Sequence, residues 1–387
     1  MIMSGKVVVC LVWLFWVMVI NSSVEGSPPS ERIDDNINKL VQQLEKLKAI
    51  KLRDTGELEE YNPTYGSTFD RVMERGYIIC GTNDEFPGFS EETYDKEDEG
   101  WKGFDVDMCR AVAAAVFGDS DAVEYEIVNG VTRFTYLKDG TIDMLSAATT
   151  YTFTRNVLKK FEFLPTTYYD GQGFITKKSL GVSSAKQMHG AKICFKGSGT
   201  AAKNIADFME LHEIKYIPVA VSVNEKTKDV YLRGDCDMYG TDRSGLASNR
   251  LGFDSPERHI ILPEIISKEP LGPVVKYGDQ KWSDIVRWTI YVLFIAEEMG
   301  INSKNIDRFI ENKDPNVQRF MGEKNGKDHP HLGAKLGLTE NWSYDIIKQV
   351  GNYEEIFDRN IKKKLGLNRG LNRLYIHGGL LYAPPLK

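Results

Sequence analysis

The chain of 387 residues carries 42% hydrophobic and 27% charged residues and a net charge of −6. That length suffices for two domains of ordinary size, each with its own core. The acidic balance, with no basic run interleaved with aromatics, excludes a nucleic-acid binder.

Residues 1–26 read as a signal peptide. Lys6 precedes the apolar run Val7–Ile20, which is followed by the small and polar residues Asn21, Ser22, Ser23 and Gly26. The run of 14 apolar residues is short for a membrane span, so an uncleaved anchor is the alternative. The expected location is periplasmic or secreted. Cys10 lies inside the run, behind Val9 rather than a small residue, and is discounted as a lipidation site. The remaining cysteines, Cys80, Cys109, Cys194 and Cys236, are an even number in an exported chain. Four cysteines allow three connectivities; local organisation favours Cys80 with Cys109 and Cys194 with Cys236. No CxxC or Cys/His spacing supports zinc, and His329 and His331, flanking Pro330 in a polar loop, read as solvated. Neither metal nor other cofactor is expected.

Residues 27–66 read as an extra amphipathic helix and a linker. Ile33, Ile37, Leu40, Val41, Leu44 and Leu47 recur at helical spacing behind Ser30 as N-cap, in a stripe that docks on the body, pairs with a second chain or frays as a tether. Ser67–Gly76 reads as a short helix closed by glycine, and Tyr77–Thr82 as a strand. Asn83–Gly103 reads as a polar loop. In GFDVDMCRAVAAAVFG, Phe104, Met108, Cys109, Val112, Ala113 and Val116 mark an apolar helical face that turns Cys109 inward, toward the strand of Cys80. The strand Val123–Val128 and the helix Thr132–Lys138 follow. This alternation implies a mostly parallel sheet.

The stretch Thr141–Arg155, TIDMLSAATTYTFTR, gathers groups suited to one small carboxylate. Ile142, Met144 and Leu145 read as a buried strand with Thr149, Thr150 and Thr152 beyond its C-terminal end, where open α/β sheets bind ligands. A helix starting near Thr152–Thr154 would aim its N–H groups at an anion, and Arg155 would add a two-pronged grip. The alternative is a Thr-rich turn capping a helix, with Arg155 solvated.

A second unit repeats this logic. A helix at Ser184–His189, the strand Ala191–Phe195, the turn Gly197–Thr200, a helix to His212 and a helix Asn224–Leu232 lead to the strand Cys236–Gly240 and the polar cluster Thr241–Ser244. The chain crosses twice, near Tyr169–Thr176 and Ser267–Val274, as an inserted domain requires. We therefore expect a discontinuous lobe 1 of residues 67–172 and 272–387, and a lobe 2 of residues 173–271, with the ligand in the cleft between them.

Over roughly Thr68–Lys387 the chain resembles the solute-binding proteins of polar amino-acid ABC transporters, and within them the general L-amino-acid-binding subgroup. The resemblance rests on GFDVDMCRAVAAAVFGD, TTYYDGQGF, CDMYGTDRSGLASNRLG, ILPEIISKEPLGPVVKYGDQKWSDIVRWT, IIKQVGNYEEIF and GLNRLYIHGGLLYAPPLK. It implies the two-lobed α/β periplasmic-binding-protein fold of type II. It also implies that Arg155 pairs with a ligand α-carboxylate supported by Thr149 and Thr150, that Asp242 binds the α-ammonium, and that Phe86 packs on the ligand side chain. The turn Gly197–Thr200, through a backbone N–H near Gly199 and the Thr200 hydroxyl, would add to the carboxylate grip. The alternative for Asp242 is an ion pair with Arg243 or a helix cap. This chain departs from the family at Ala147 and Ala148, where bulkier polar residues are usual, and in the turn GSGTA. With Gly130 also small, broad specificity is expected.

The implied partners are L-amino acids and the membrane permease of an ABC transporter, with the protein acting as a monomer. No catalytic motif is evident. An enzyme on the same scaffold, such as a cyclic carboxylic acid dehydratase, would need Glu85 as its acid or base. A sensor acting through a partner receptor would share the binding site.

Overall fold

In a computed structural model of the chain, residues 67–94, 99–222, 225–322 and 331–387 are described. The expected signal peptide at 1–26, the amphipathic helix and linker at 27–66, Asn224 and His329 lie outside them.

Two five-stranded sheets carry the fold, and they share one topology. The first has the order β5–β1–β6–β15–β7, from Val123–Ile127, Ile78–Thr82, Met144–Leu145, Val274–Lys276 and Phe161–Phe163. Strand β1 runs parallel to β5 and β6, and β15 runs antiparallel to β6 and β7. The second has the order β11–β10–β12–β9–β13, from Ile217–Val221, Lys192–Lys196, Met238–Asp242, Gln172–Lys177 and His259–Ile261. Again β10 is parallel to both neighbours, and β9 is antiparallel to β12 and β13. The first sheet draws its fourth strand from residues 274–276, so its lobe is built from two separated stretches of chain. The crossing segments pair with each other as β8 (Tyr168–Asp170) and β14 (Glu269–Leu271), an antiparallel ribbon that sets Asp170 opposite Glu269.

Side-chain alternation gives the second sheet a core on each face. Phe174, Ile193 and Met238 pack on one side, and Ile175, Cys194 and Tyr239 on the other. Covalent links tie each sheet to a neighbouring element: Cys80 of β1 is bonded to Cys109 and Cys194 of β10 to Cys236, with Cα atoms 6.3 and 5.8 Å apart.

Helix α1, Thr68–Arg75, starts at a reciprocal Ser67–Asp70 capping box and stops at Gly76. Helix α2, Phe104–Phe117, is buried around most of its circumference rather than along one stripe, and this buries Asp105 and Asp107 near its start. Asp107 is met by Arg359 at 2.7 Å. Gly103 precedes α2 at φ 135°, and a Cβ there would lie 2.1 Å from the Phe89 carbonyl oxygen, so only glycine lets the helix begin against that backbone.

Several local expectations are corrected. Residues expected as a polar loop form the antiparallel sheet β2–β3–β4, from Glu85–Phe86, Ser90–Thr93 and Gly100–Lys102. Their acids and serines give little strand signal, and the pairing comes from register between segments. The expected helix at Ser184–His189 is a 3₁₀ turn, Ala185–Gln187. The helix expected from Asn224 spans Thr227–Arg233 (α5), after α3 (Thr132–Asp139) and α4 (Ala201–Leu211). Helix α6 (Arg243–Leu251) and the 19-residue α7 (Gln280–Glu298) follow, the latter burying Trp282, Ile285, Ile290 and Leu293 in the first lobe. The C-terminal segment straps the hinge ribbon: Asn372 accepts from Tyr169 N at 2.6 Å and donates to its carbonyl at 3.1 Å.

Candidate functional site

The C-terminal ends of β6 and β12, the central strands of the two sheets, face one cleft of about 480 Å³ lined by both lobes. The lobes meet across its mouth. Glu85 of the first forms an ion pair with Lys226 of the second. Gly130 and Ser198 are so close that a Cβ on the glycine would lie 2.3 Å from the serine Oγ.

On the first lobe, a buried acid shapes the strand end. Asp105 accepts from Ala148 N at 2.7 Å and from Ser146 Oγ at 3.1 Å. These bonds hold Ala148 at φ 43°, a left-handed conformation costly for a residue with a Cβ. Burial outweighs them and raises the Asp105 carboxyl to about 6. Arg155 lines the cleft, and its Nη1 donates to the Thr150 carbonyl at 2.6 Å. Among the described residues its Nε and Nη2 have no hydrogen-bond partner, an edge able to take two oxygens of one carboxylate. Burial lowers its pKa, opposed by Glu269 and Asp242.

The helix expected from Thr152–Thr154 is a five-residue π-type turn, Thr154–Leu158. It is too short to build a useful dipole, so charge on this face comes from side chains. Thr150 lines the cleft. Thr149 does not: its hydroxyl donates to the Ala147 carbonyl at 3.2 Å and accepts from Arg133 at 3.1 Å. Thr149 acts on the site only through what it holds.

Arg133 on α3 is a lining residue that sequence reasoning missed. Its Nε donates to the Asn129 carbonyl and its Nη1 to the Ala147 carbonyl and Thr149 Oγ1, each at 3.1 Å. Burial first, then the nearby Arg155 charge, pushes its pKa down to about 10. Among the described residues neither Arg133 nor Arg155 has a carboxylate within ion-pair distance. A lone arginine on a helix carries no local mark of such burial.

The second lobe supplies the opposite sign. Asp242 ends β12 just before α6, and neither local alternative holds: its side chain makes no capping bond, and Arg243 donates instead to the Leu262 carbonyl at 2.7 Å. Its carboxyl is raised well above the ordinary range by burial, then by Asp170 and Glu269, with Arg155 and Arg133 opposing. Asp170 is itself raised, chiefly by burial. Glu269, only 1% exposed, accepts from Asn204 and Ser267, each at 2.7 Å. Asp170 and Glu269 were also missed, because only the pairing of two distant crossings brings them beside Asp242. Among the described residues no set of His, Cys, Asp or Glu is placed to hold a metal ion. Three carboxyls beside a cleft without a metal geometry suit an ammonium group.

Gly199, at φ 109°, and Thr200 line the cleft at the start of α4. The Thr200 hydroxyl lies 3.4 Å from Glu269, a long contact that leaves it able to turn toward a ligand. Phe86, set by the small β2–β4 sheet and stacked on Phe89 at 4.6 Å, forms the apolar wall.

Comparison with known proteins places this arrangement. The general L-amino acid-binding periplasmic protein AapJ of Rhizobium johnstonii is 46% identical over 323 residues, covering 83% of this chain and 93% of that protein. The glutamate/glutamine/aspartate/asparagine-binding protein BztA of Rhodobacter capsulatus is 43% identical over 324 residues, 83% of this chain and 94% of that protein. A solved ABC transporter periplasmic binding protein from Brucella ovis with glutathione bound superposes with a TM-score of 0.80 at 41% identity, covering 84% of this chain and all (100%) of that one. The model of the bacterial extracellular solute-binding proteins, family 3, matches residues 78–362, and the chain belongs to that family.

Proposed function

We propose that this protein captures L-amino acids by closing its two lobes on the α-carboxylate and α-ammonium, and delivers them to the permease of an ABC transporter. The observation that carries the reading is the cleft's charge layout: two guanidiniums that form no direct ion pair among the described residues lie on one lobe, within electrostatic reach of Asp242 on the other. A zwitterion neutralises both sides at once, and only when they approach. Members of the family work outside the cytoplasm; we read residues 1–26 as the export signal and the working form as a monomer without cofactor. Arg155 takes the carboxylate with its free edge, Thr150, Gly199 and Thr200 support it, Asp242 takes the ammonium, and Phe86 covers the side chain.

Binding is favoured over catalysis by the family, a solute-binding one, and by relatives of 42–46% identity that carry binding-protein names. Glu85 pairs with Lys226 at the exposed cleft mouth. Gly130, Ala147 and Ala148 leave the lining small, so we expect several amino acids to bind. Thermal unfolding against the twenty amino acids, with glutathione added because a related protein carries it, tests the reading. A ligand at a hundredfold its dissociation constant adds about 2.7 kcal/mol. A melting midpoint that no amino acid shifts would reject the function, and a shift by a single one would reject broad specificity.

A further inference from the structure

One polar network joins the ligand-facing turn Gly199–Thr200 to both hinge crossings, and the reading above gives it no role. Asn204, one turn into α4, donates through Nδ2 to Gln172 Oε1 at 2.9 Å and to Glu269 Oε1 at 2.7 Å. Gln172 opens β9 on the first crossing and Glu269 opens β14 on the second. Both hydrogens of one side-chain amide are thus spent on the two crossings. Gln172 and Glu269 are buried, and Gln172 Nε2 returns to the carbonyl of Ala201, the first residue of α4, at 3.2 Å. Ser267 closes the ring: its Oγ donates to Glu269 Oε1 at 2.7 Å and accepts from Gln172 N at 3.2 Å.

Thr200 is the open end of this network. It precedes α4, where a threonine hydroxyl ordinarily caps the helix, yet its side chain makes no capping bond. Its hydroxyl reaches Glu269 Oε2 at 3.4 Å, the longest contact in the network, and the residue lines the cleft. A hydroxyl has one hydrogen to donate, so a ligand carboxylate competes with Glu269 for it. The short bonds of Asn204 anchor α4 on the hinge side, and the long one releases Thr200 to the ligand. A buried network with its bonds made fixes one geometry; to fill the same space, apolar residues would serve at lower cost.

We propose that Gln172, Asn204, Ser267 and Glu269 are positioning residues for ligand capture. They hold the start of α4 on both hinge strands, so that closure delivers the Thr200 hydroxyl to the ligand α-carboxylate in a fixed register. The proposal rests on the amino-acid reading and concerns the group that all amino acids share. Breaking the network therefore changes affinity without changing the order of ligands, and it acts only through the Thr200 hydroxyl.

A double-mutant cycle on the full chain, read by calorimetry with L-glutamine and L-glutamate, tests it. Thr200→Val keeps the shape, removes the hydroxyl and should weaken both ligands about tenfold, the worth of one bond to a charged group. Asn204→Ala should weaken both by about three- to tenfold in the parent, but by less than about twofold in the Thr200→Val background. Ser267→Ala, a milder change outside α4, should show the same dependence with a loss of about threefold, and it carries the test if Asn204→Ala fails to fold. Glu269 is left unchanged, because its charge also acts on Arg155 and Asp242. Equal losses in both backgrounds, or no loss in either, would show that the network is only a strut and overturn the proposal. Parental affinity in Thr200→Val, or a changed glutamine-to-glutamate ratio in Asn204→Ala, also overturns it while leaving the amino-acid reading intact; a parent that binds no amino acid overturns both.

Discussion

The ends of β6 and β12 occupy the same place in two sheets of the same topology, yet they are chemically opposite. The β6 end is backed by Arg133 and Arg155, whereas the β12 end carries Asp242 beside Asp170 and Glu269. Each face is electrostatically incomplete: guanidiniums crowd each other on one, and carboxyls on the other. The lesson is that a repeated scaffold becomes a ligand-gated clamp when its halves bear unlike charges. Neither half holds a zwitterion well alone, and an empty closed cleft leaves like charges desolvated.

The sharpest way to break the comparison is to remove one side's charge. Arg155→Ala or Asp242→Ala should each weaken amino-acid binding by about 3–5 kcal/mol, because the ligand's remaining charge is left buried and unpaired. Calorimetry checks this, and an affinity within threefold of the parent in either variant would show that the zwitterion is held elsewhere. The two should differ in the empty protein: Asp242→Asn relieves crowding with Asp170 and Glu269 and should not lower the melting temperature.

The lobes are alike in their covalent staples, so loss of either should act on stability and not on ligand choice. Replacing Cys80 and Cys109, or Cys194 and Cys236, by serine should each cost about 3–4 kcal/mol on loop-closure grounds, with the order of amino-acid preferences retained. Scanning calorimetry with a ligand panel distinguishes a stability loss from a change in ligand order.

Asp105 tests how far the first face depends on its buried support. Asp105→Ala strands the Ala148 N–H and should cost about 1–3 kcal/mol of stability, with weaker binding as residues 146–149 relax. In the parent, the Asp105 carboxyl near 6 lies above its unfolded value. The folded state therefore holds its proton longer, and the stability linked to this group falls as pH rises from its unfolded pKa through about 6.

Protonation also separates the ligand-facing groups, since Arg133 and Arg155 keep their charge on acidification whereas Asp242 loses its own. Asp242 is raised, so its anion is lost on acidification earlier than for an ordinary carboxylate, and ammonium binding, which needs that anion, weakens by up to about tenfold per pH unit. Binding should correspondingly release a proton, which calorimetry in buffers of different ionisation enthalpy would detect. The same shift makes the empty protein less stable as pH rises through that window.

The smallest effect should come from the contact that joins the lobes without ligand. Both partners of the Glu85–Lys226 pair are about half exposed, so Glu85→Gln should cost about 0.2–1 kcal/mol in affinity, and less at high salt. Affinity measured at two salt concentrations separates this mouth contact from the buried anchors, whose contribution salt scarcely screens.

By itself the sequence determined the parts whose signals are local. Alternating strands and helices, the two crossings, the paired cysteines, and the placing of Arg155 after β6 and of Asp242 at the end of β12 were legible from periodicity and neighbouring residues. Thr150, read from the same stretch, and Phe86, Gly199 and Thr200, which the family resemblance implied, fall on one cleft. Only tertiary structure decided the rest. It turned Thr149 away from the cleft, reduced the expected helix at 152–154 to a π-type turn, and made paired strands of the expected loop before Gly103. It also half-buried Arg133, buried Asp105 and set Asp170 opposite Glu269 through strands about a hundred residues apart. Desolvation and like-charge crowding depend on which distant segments exclude water from a group, and neither leaves a trace in the residues adjacent to it.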